Sequence, residues 1–332
     1  MEHGDYILAD QVPANEFLNL EGNKISTSRN WAVWLHEYLQ DFPGKQDVLR
    51  YALTATMPET KDNDFTWKDF QQRNNNELVA DLGNLINRVL VLTNKYYNGV
   101  VPQNVALTAE DEAALAKARE AVARMETAIG NYKFREALQE MMNIARTGNK
   151  YLADQEPWKM QKVDPARTEA QMFVALQITG ILAVAIEPIL PFTAAKLRFM
   201  LNLPYTLTWE ESAKNLLAGG HKIDQATLLF EKIEDETVEA QRQKLLATKQ
   251  EVKAQIMPAK EPITFDDFQK MDIRLGTILE AEKVKKADKL LQLLVDTGID
   301  RRVIVSGIAE HYSPEEIIGK TVTVLMNLAP RT

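Results

Sequence analysis

The spacing of apolar residues changes once along this chain, and that change limits the folds the chain can adopt. Between Glu77 and Tyr97 the apolar residues recur every three or four positions, as they do on one face of an amphipathic helix. Similar helical spacing extends from about Trp31 to Lys253. After residue 262 the apolar residues fall into short β-type runs that are separated by turn residues. The sequence therefore predicts a mainly α-helical protein that ends in a small β-barrel.

Local signals set the bounds of the predicted helices. Thr108 followed by Asp111 has the spacing of a capping box and predicts a helix that runs towards Ile129. The next helix is predicted over Tyr132–Arg146, with Gly148 as its C-terminal stop. Together these segments predict a helical bundle.

The second half of the helical region adds three further helices and a linker. A short helix is predicted at Pro157, and a long apolar helix over Thr168–Glu187. Its most apolar part is shorter than the roughly 20 residues that a bilayer span needs, so we expect a buried helix and no membrane partner. The charged segment Asp235–Lys253 is typical of a solvated helical connector, and Met257–Pro262 of a linker.

Composition narrows the functional classes. A length of 332 residues predicts two or three domains. The net charge of −8 argues against binding nucleic acid through bulk electrostatics, so any such contact must rest on local basic groups. The chain has no cysteine, and its four histidines lack metal-site spacing, so no metal site is predicted. The N-terminal residues carry no signal-peptide core, and we therefore expect a cytoplasmic protein.

The run Lys24-Ile-Ser-Thr-Ser28 resembles the K-M-S-K-S loop of class I aminoacyl-tRNA synthetases. The resemblance implies a mobile loop that closes over ATP, in which Lys24 binds phosphate and Ser26 and Ser28 serve as donors. Thr27 stands where the second lysine is expected, so the phosphate chemistry rests on Lys24. Taken alone, five residues of this type also fit an ordinary polar loop.

The surroundings of this loop resemble one branch of that class. The segments Pro13–Lys24, Asp47–Tyr51 and Asp64–Phe70 look like the methionyl-tRNA synthetases in order and spacing. The resemblance implies a ligase that joins methionine to methionine tRNA and converts ATP to AMP and pyrophosphate through methionyl-adenylate. ATP is then the substrate, and we expect most of its site to lie upstream.

A second constellation combines Asn84 and Arg88 on one helix face with Trp158, which follows Pro157. From composition alone, the polar pair would be solvated and the tryptophan would be core. In the methionine family, an Asn and an Arg four positions apart and a Trp in a P-W pair read the CAU anticodon. The chemistry suits these roles, because Arg and Asn can address base edges and Trp can stack on an unpaired base.

The C-terminal region carries four short motifs that begin at Met271, Ala287, Ile304 and Asn327. They resemble the OB-type tRNA-binding domain that is appended to many methionyl-tRNA synthetases. Phosphate contacts are expected from local cations, although simple solvation remains an alternative for each of them. The candidates are Lys285, Lys286, Lys289, Arg301, Arg302 and Arg331.

The resemblance implies four segments along the chain. Residues 1–62 are expected to be the end of the catalytic core, 63–234 a helical anticodon-binding domain, 235–261 a connector with its linker, and 262–332 an OB domain cut short at its C-terminus. The Rossmann half with its H-I-G-H motif is expected upstream, so the fragment alone should be inactive. A complete OB domain could support a homodimer in the full-length protein.

Two other functions remain compatible with the sequence. A stand-alone tRNA-binding adaptor would also bind tRNA but would have no use for the Lys24 loop. A helical scaffold joined to a single-strand-binding OB fold would leave Asn84, Arg88 and Trp158 unexplained.

Overall fold

The computed structural model describes the backbone of residues 9–255, 261–285 and 287–329. The chain folds as two compact units, Met1–Ile256 and Met257–Thr332. The first unit is mainly helical, and the second contains a four-stranded sheet. The predicted linker lies outside the described residues except for Glu261 and Pro262. The finer division into four segments stays a prediction.

A small three-stranded sheet opens the first unit. Its strands are β1 (Leu18–Leu20), β2 (Asn23–Lys24) and β3 (Asn63–Phe65), in the order β2-β1-β3. β1 pairs antiparallel with β2 and parallel with β3. Helices α1 (Leu35–Asp41) and α2 (Gln46–Ala55) lie between β2 and β3 in the chain. The sequence did not predict this sheet, because strands of two or three residues are too short to show a period of two.

One unbroken helical segment follows. It consists of α3 (Trp67–Gln72), a π-helical stretch (Arg73–Gly83) and α4 (Asn84–Tyr97). The predicted helix over Glu77–Tyr97 is confirmed, although the segment begins ten residues earlier than predicted. The π-helical stretch was not predicted, because apolar spacing does not distinguish i−4 from i−5 hydrogen bonds. Stretches of this kind are rare and occur frequently at functional sites.

The hairpin of α5 (Ala109–Gly130) and α6 (Phe134–Gln155) contains one confirmed prediction and one that is wrong. Thr108 and Asp111 form the predicted capping box at the start of α5. Gly148 does not end α6, which continues for seven more residues. A Cβ atom at Gly148 would lie 2.7 Å from Leu85 Cδ2 of α4. The glycine is therefore a point of close helix packing, which a single sequence does not distinguish from a C-cap.

The remaining helices complete the bundle around α8. They are α7 (Pro157–Met160), α8 (Pro165–Ala185), α9 (Pro191–Met200), a 3-10 turn (Glu210–Ala213) and α10 (Asp235–Gln255). Every residue from Ala170 to Ala185 is buried. Within the described residues, α8 is the one helix long and apolar enough to cross a membrane, and 94% of its apolar window is buried inside the fold. The prediction of a buried core helix is confirmed.

The second unit carries the predicted strands. Its elements are α11 (Phe265–Gln269), β4 (Ile273–Lys283), β5 (Leu291–Asp296), β6 (Arg301–Ser306), α12 (Pro314–Ile317) and β7 (Thr321–Leu325). All three strand pairs are antiparallel, and the order is β6-β5-β4-β7. Among the described strands β6 and β7 are open edges, so the sheet is not a closed barrel there.

Candidate functional site

Lys24 projects from a tight hairpin at the start of the first unit. Glu21 and Gly22 connect β1 to β2, and both have positive φ angles, of 48° and 73°. The Gly22 N–H donates to both carboxylate oxygens of Asp64 at 3.0 Å, which fixes the turn. Lys24 is exposed, and its Nζ lies 4.7 Å from the centre of the Phe17 ring. An exposed cation–π contact is worth only about 0.5–1 kcal/mol, so the ammonium can leave this ring at low cost.

The serines of the same loop lie beside each other. Ser26 and Ser28 place their hydroxyl oxygens 3.2 Å apart. Ser26 and Trp31 exchange two backbone hydrogen bonds of 3.0 and 2.9 Å, which close the loop at its base. The buried Trp31 indole donates to the Leu20 carbonyl at 2.9 Å and so anchors the loop to β1. The structure therefore places Lys24, Ser26 and Ser28 on one short segment with a fixed base.

Helix α10 packs against this region and is not the solvated connector that its composition predicted. Val238 and Leu245 of α10 are buried in the core of the first unit. On the polar side, Arg242 Nε lies 3.8 Å from a carboxylate oxygen of Glu21. The other oxygen of Glu21 accepts from the Trp67 N–H at 2.8 Å. Two apolar residues seven apart in a charged segment gave too narrow a stripe to predict this packing.

Arg88 and Trp158 meet, although 70 residues separate them in the sequence. The guanidinium carbon of Arg88 lies 4.9 Å from the centre of the Trp158 ring. Arg88 belongs to α4, and Trp158 is the second residue of α7, directly after the buried Pro157. The exposed Asn84 lies one helical turn before Arg88 on the same face. Two of the three predicted residues are thus in direct contact, and the third is their neighbour along α4.

The buried carboxylate of Asp111 connects the helix ends on either side of α7, the short helix that contains Trp158; this region is called the Trp158 corner below. Asp111 is fully buried, and it accepts hydrogen bonds from the Tyr151 hydroxyl at 2.5 Å and the Thr108 N–H at 2.9 Å. The Arg167 guanidinium pairs with both of its oxygens. Burial alone would raise the pKa of Asp111, but hydrogen bonds from Arg167, Thr108 and Tyr151 outweigh it and hold that pKa at about 2. This network joins the start of α5, the end of α6 and the start of α8.

Sequence profiles of three known families cover most of the chain. Residues 1–90 match "tRNA synthetases class I (M)", 101–250 match "Anticodon binding domain of methionyl tRNA ligase", and 273–332 match "Putative tRNA binding domain". The chain belongs to the methionyl-tRNA synthetase family. Arg88 lies in the residues that match the first family and Trp158 in those that match the second, so their contact connects the two matched regions.

Curated methionine–tRNA ligases are similar to this chain over nearly the whole length of the chain. A methionine–tRNA ligase of Flavobacterium psychrophilum is 63% identical over 99% of this chain and 48% of its own length. One from Bacteroides fragilis is 58% identical over 99% of this chain and 49% of its own length. The chain thus spans about half the length of the curated relatives it matches.

A solved structure supports the same family. A methionyl-tRNA synthetase of Mycobacterium tuberculosis, in complex with methionyl-adenylate, superposes with a TM-score of 0.60. It is 25% identical, and the alignment covers 65% of this chain and 43% of that one.

Tyr97 provides a second link between α4 and the Trp158 corner in this synthetase family member. Its hydroxyl donates to the Gln161 side-chain oxygen at 3.2 Å. Burial raises the pKa of Tyr97 to about 12, with the charge of Glu169 and the neighbouring Tyr96 adding to it. The hydroxyl therefore stays protonated at neutral pH. A Tyr-Tyr pair at a helix end gave no sequence signal for this contact.

The candidate phosphate contacts of the second unit differ in whether they are already paired with carboxylates. Lys285 is exposed and pairs with no described residue. Lys289 lies 3.0 Å from Glu310, and Arg301 lies 3.3 Å from Asp296. Arg302 is held most firmly, by Asp300 at 2.6 Å and by the Met326 carbonyl at 2.7 Å. Lys286 and Arg331 lie outside the described residues.

Proposed function

We propose that this chain is the tRNA-recognition part of a methionine–tRNA ligase and that it reads the CAU anticodon with Asn84, Arg88 and Trp158. The observation that carries this proposal is the stack of Arg88 on Trp158, 4.9 Å from guanidinium carbon to ring centre, beside Asn84. A guanidinium offers a planar fork of donors to base edges, an indole offers a stacking face, and an amide both donates and accepts.

The environment of the pair supports reading of a base. Trp158 is only partly buried and packs against the core of the first unit, while the Arg88 guanidinium lies over its ring. The Asp111–Arg167–Tyr151 network fixes the helix ends on either side of α7. A stacking platform discriminates best when its position is fixed before the ligand arrives, because little free energy is then spent on ordering it.

The Lys24 loop supports the ligase over a stand-alone tRNA-binding adaptor. In the proposed ligase, ATP supplies the adenylyl group that activates methionine. The exposed Lys24 ammonium would bind its phosphates, with Ser26 and Ser28 as hydroxyl donors. The complete reaction requires parts of the relatives that this chain does not cover, so the isolated chain should not form methionyl-adenylate.

The second unit would add affinity without sequence information. We assign it to an OB-type module whose exposed cations, Lys285 above all, contact tRNA phosphates. We further propose that this module supports a homodimer and that the protein works in the cytoplasm.

The test compares the binding of two RNAs by the chain and its variants. Dissociation constants are measured by filter binding for methionine tRNA and for the same tRNA with a swapped anticodon. Trp158→Ala should weaken cognate binding by about 1–3 kcal/mol, because the base no longer stacks. Arg88→Ala should cost a similar amount and reduce the ratio between the two RNAs. Arg88→Lys should restore little, because lysine keeps the charge but lacks the planar stack.

Trp209→Ala is the matched control, since Trp209 is also partly buried and packs against the same core. We expect it to lower stability without changing the ratio between the two tRNAs. If Trp158→Ala behaved in the same way, Trp158 would be a core residue and the anticodon assignment would be wrong.

A further inference from the structure

Three cavities adjoin one another along α6. The first, of about 260 Å³, includes Arg73, Arg135 and Arg146 in its lining. The second, of about 240 Å³, shares Asn143 and Arg146 with the first. The third, of about 480 Å³, shares Lys117, Thr147 and Lys150 with the second and reaches Tyr151 and Gln155. Neighbouring cavities share lining residues, and the surface that the three cover together is called the α6 groove below.

The groove runs the length of α6. Residues 135, 139, 143, 146 and 150 line it, and their spacing of three or four places them on one face of the helix. A helix of 22 residues is about 33 Å long. One end of the groove includes Ala55, the last residue of α2. The other end reaches Gln155, three residues before Trp158 in the chain.

The first two cavities are strongly basic within an acidic chain. Their lining contains six Lys and Arg residues but one carboxylate, that of Glu77. Both oxygens of Glu77 are already engaged, by the Tyr51 hydroxyl and by Arg73. The net charge of the whole chain is −8, so this concentration of positive charge is local.

Four of these six cations are paired with carboxylates and two are not. Arg73 pairs with Asp69, Arg146 lies 3.5 Å from Asp81, and Arg124 lies 3.0 Å from Glu140. Lys150 pairs with Asp154 at 2.8 Å, and the third cavity adds Glu110 and Asp154 to the lining. The side chains of the half-buried Arg135 and the exposed Lys117 have no partner among the described residues. These two charges are therefore available to a ligand.

We propose that the α6 groove binds the phosphodiester backbone of the tRNA whose anticodon meets Arg88 and Trp158. This inference rests on the proposed function and adds a second contact surface to it. Cations repeated along a groove match a ligand that repeats its anions, and the amides of Gln139 and Asn143 can donate to phosphate oxygens. An acidic peptide fits less well, because the apolar side chains Leu138 and Met142 of the lining are buried and offer no anchor.

The test measures how the affinity for tRNA depends on salt. The double variant Arg135→Ala/Lys117→Ala is compared with wild type over a range of salt concentrations, using methionine tRNA and its anticodon-swapped version. The slope of log affinity against log salt should fall by about 1 for each phosphate that is no longer neutralised, so by about 2 in total. The ratio between the two tRNAs should stay unchanged, since phosphate contacts carry no sequence information.

Lys61→Ala is the matched control. Lys61 is exposed, has no side-chain partner among the described residues and lines none of the three cavities. It should leave the slope unchanged. An equal reduction of the slope in the control and the double variant, or no reduction in either, would overturn the groove. If the double variant folds poorly, Arg135→Gln with Lys117→Gln can replace it. That variant keeps most of both side-chain stems, and the same reduction of the salt slope is expected.

Two further outcomes separate this inference from its alternatives. If a labelled polyglutamate peptide binds wild type but not the double variant while the tRNA slopes agree, the groove takes an acidic protein and the proposal is wrong. If wild type does not distinguish the two tRNAs, the anticodon proposal fails, but the slopes still report on the groove.

Discussion

The two units of this chain differ in the size of the core that supports their candidate functional side chains. In the first unit a single core extends from Leu20 to Leu245, and α8 is buried from Ala170 to Ala185. Among the described residues of the second unit, the core has six buried apolar side chains, while Phe265, Phe268 and Leu275 are 52–70% exposed. Reading a base requires fixed geometry, whereas contacting phosphates tolerates movement. The candidate anticodon residues lie in the unit with the larger core, which is the unit better suited to fix their geometry.

The same local motif occurs in both units and makes the comparison measurable. Thr108 and Asp111 form a capping box at α5, and Thr264 and Asp267 form one at α11. Asp111 is fully buried and bound to Arg167, whereas the Asp267 side chain is 49% exposed. The motif is identical, so a difference in stability must come from the surroundings.

The largest effect is expected at this pair. Asp111→Asn should lower the free energy of unfolding by about 3 kcal/mol, because it leaves the guanidinium of Arg167 without its partner. That value is at the low end for a broken buried pair, since the Arg167 side chain keeps 18% exposure. Asp267→Asn should leave stability within error of wild type. Urea denaturation of the three chains gives the comparison, and equal reductions would show that burial of Asp111 contributes nothing.

The same variant has a defined pH dependence. The pKa of Asp111 is about 2 in the folded chain, below its ordinary value of 3.8. A carboxyl group with a lowered pKa stabilises the fold above its unfolded pKa, and this contribution is lost as the pH falls through the folded value. The gap in unfolding free energy between wild type and Asp111→Asn should therefore be constant above about pH 4 and close towards about pH 2. Urea midpoints on descending pH would show it, and a gap that widened in acid would contradict the assignment.

Asp111 also shows which contacts could be predicted from the sequence and which could not. The spacing of Thr108 and Asp111 predicted the cap correctly, because a capping box is a local pattern. Nothing local identified Arg167, which lies 56 residues away. The Arg88–Trp158 contact spans 70 residues, and only the family resemblance pointed to it. Patterns within one or two helical turns were therefore readable, whereas tertiary partners were not.

Gly148 tests how tightly the first unit is packed near α4. Gly148→Ala raises the helix propensity of α6, but its Cβ would meet Leu85 at 2.7 Å and Ile178 at 3.2 Å. Both neighbours are fully buried and cannot easily move away. We expect a net destabilisation of about 1–3 kcal/mol from overpacking, measured by urea denaturation.

Gly130→Ala is the control for that substitution. A Cβ at Gly130 meets nothing within 4 Å, so this variant should be neutral or slightly more stable. If both variants were stabilised, the packing of α4 against α6 would be looser than the distances indicate.

The smallest effects are expected in the second unit. There, a variant of Lys285 should affect only tRNA binding, and a variant of Arg302 should affect only the local structure. Lys285 is exposed and without a partner among the described residues, so Lys285→Ala should lower the salt slope of tRNA binding by about 1 and leave the urea midpoint unchanged. Arg302 holds Asp300 and the Met326 carbonyl, so Arg302→Ala should leave the slope unchanged and speed amide exchange in β6. If Arg302→Ala reduced the slope as much as Lys285→Ala, Arg302 would exchange Asp300 for a phosphate on binding. The sheet would then rearrange around RNA, and the contrast between a fixed first unit and an adaptable second unit would become sharper.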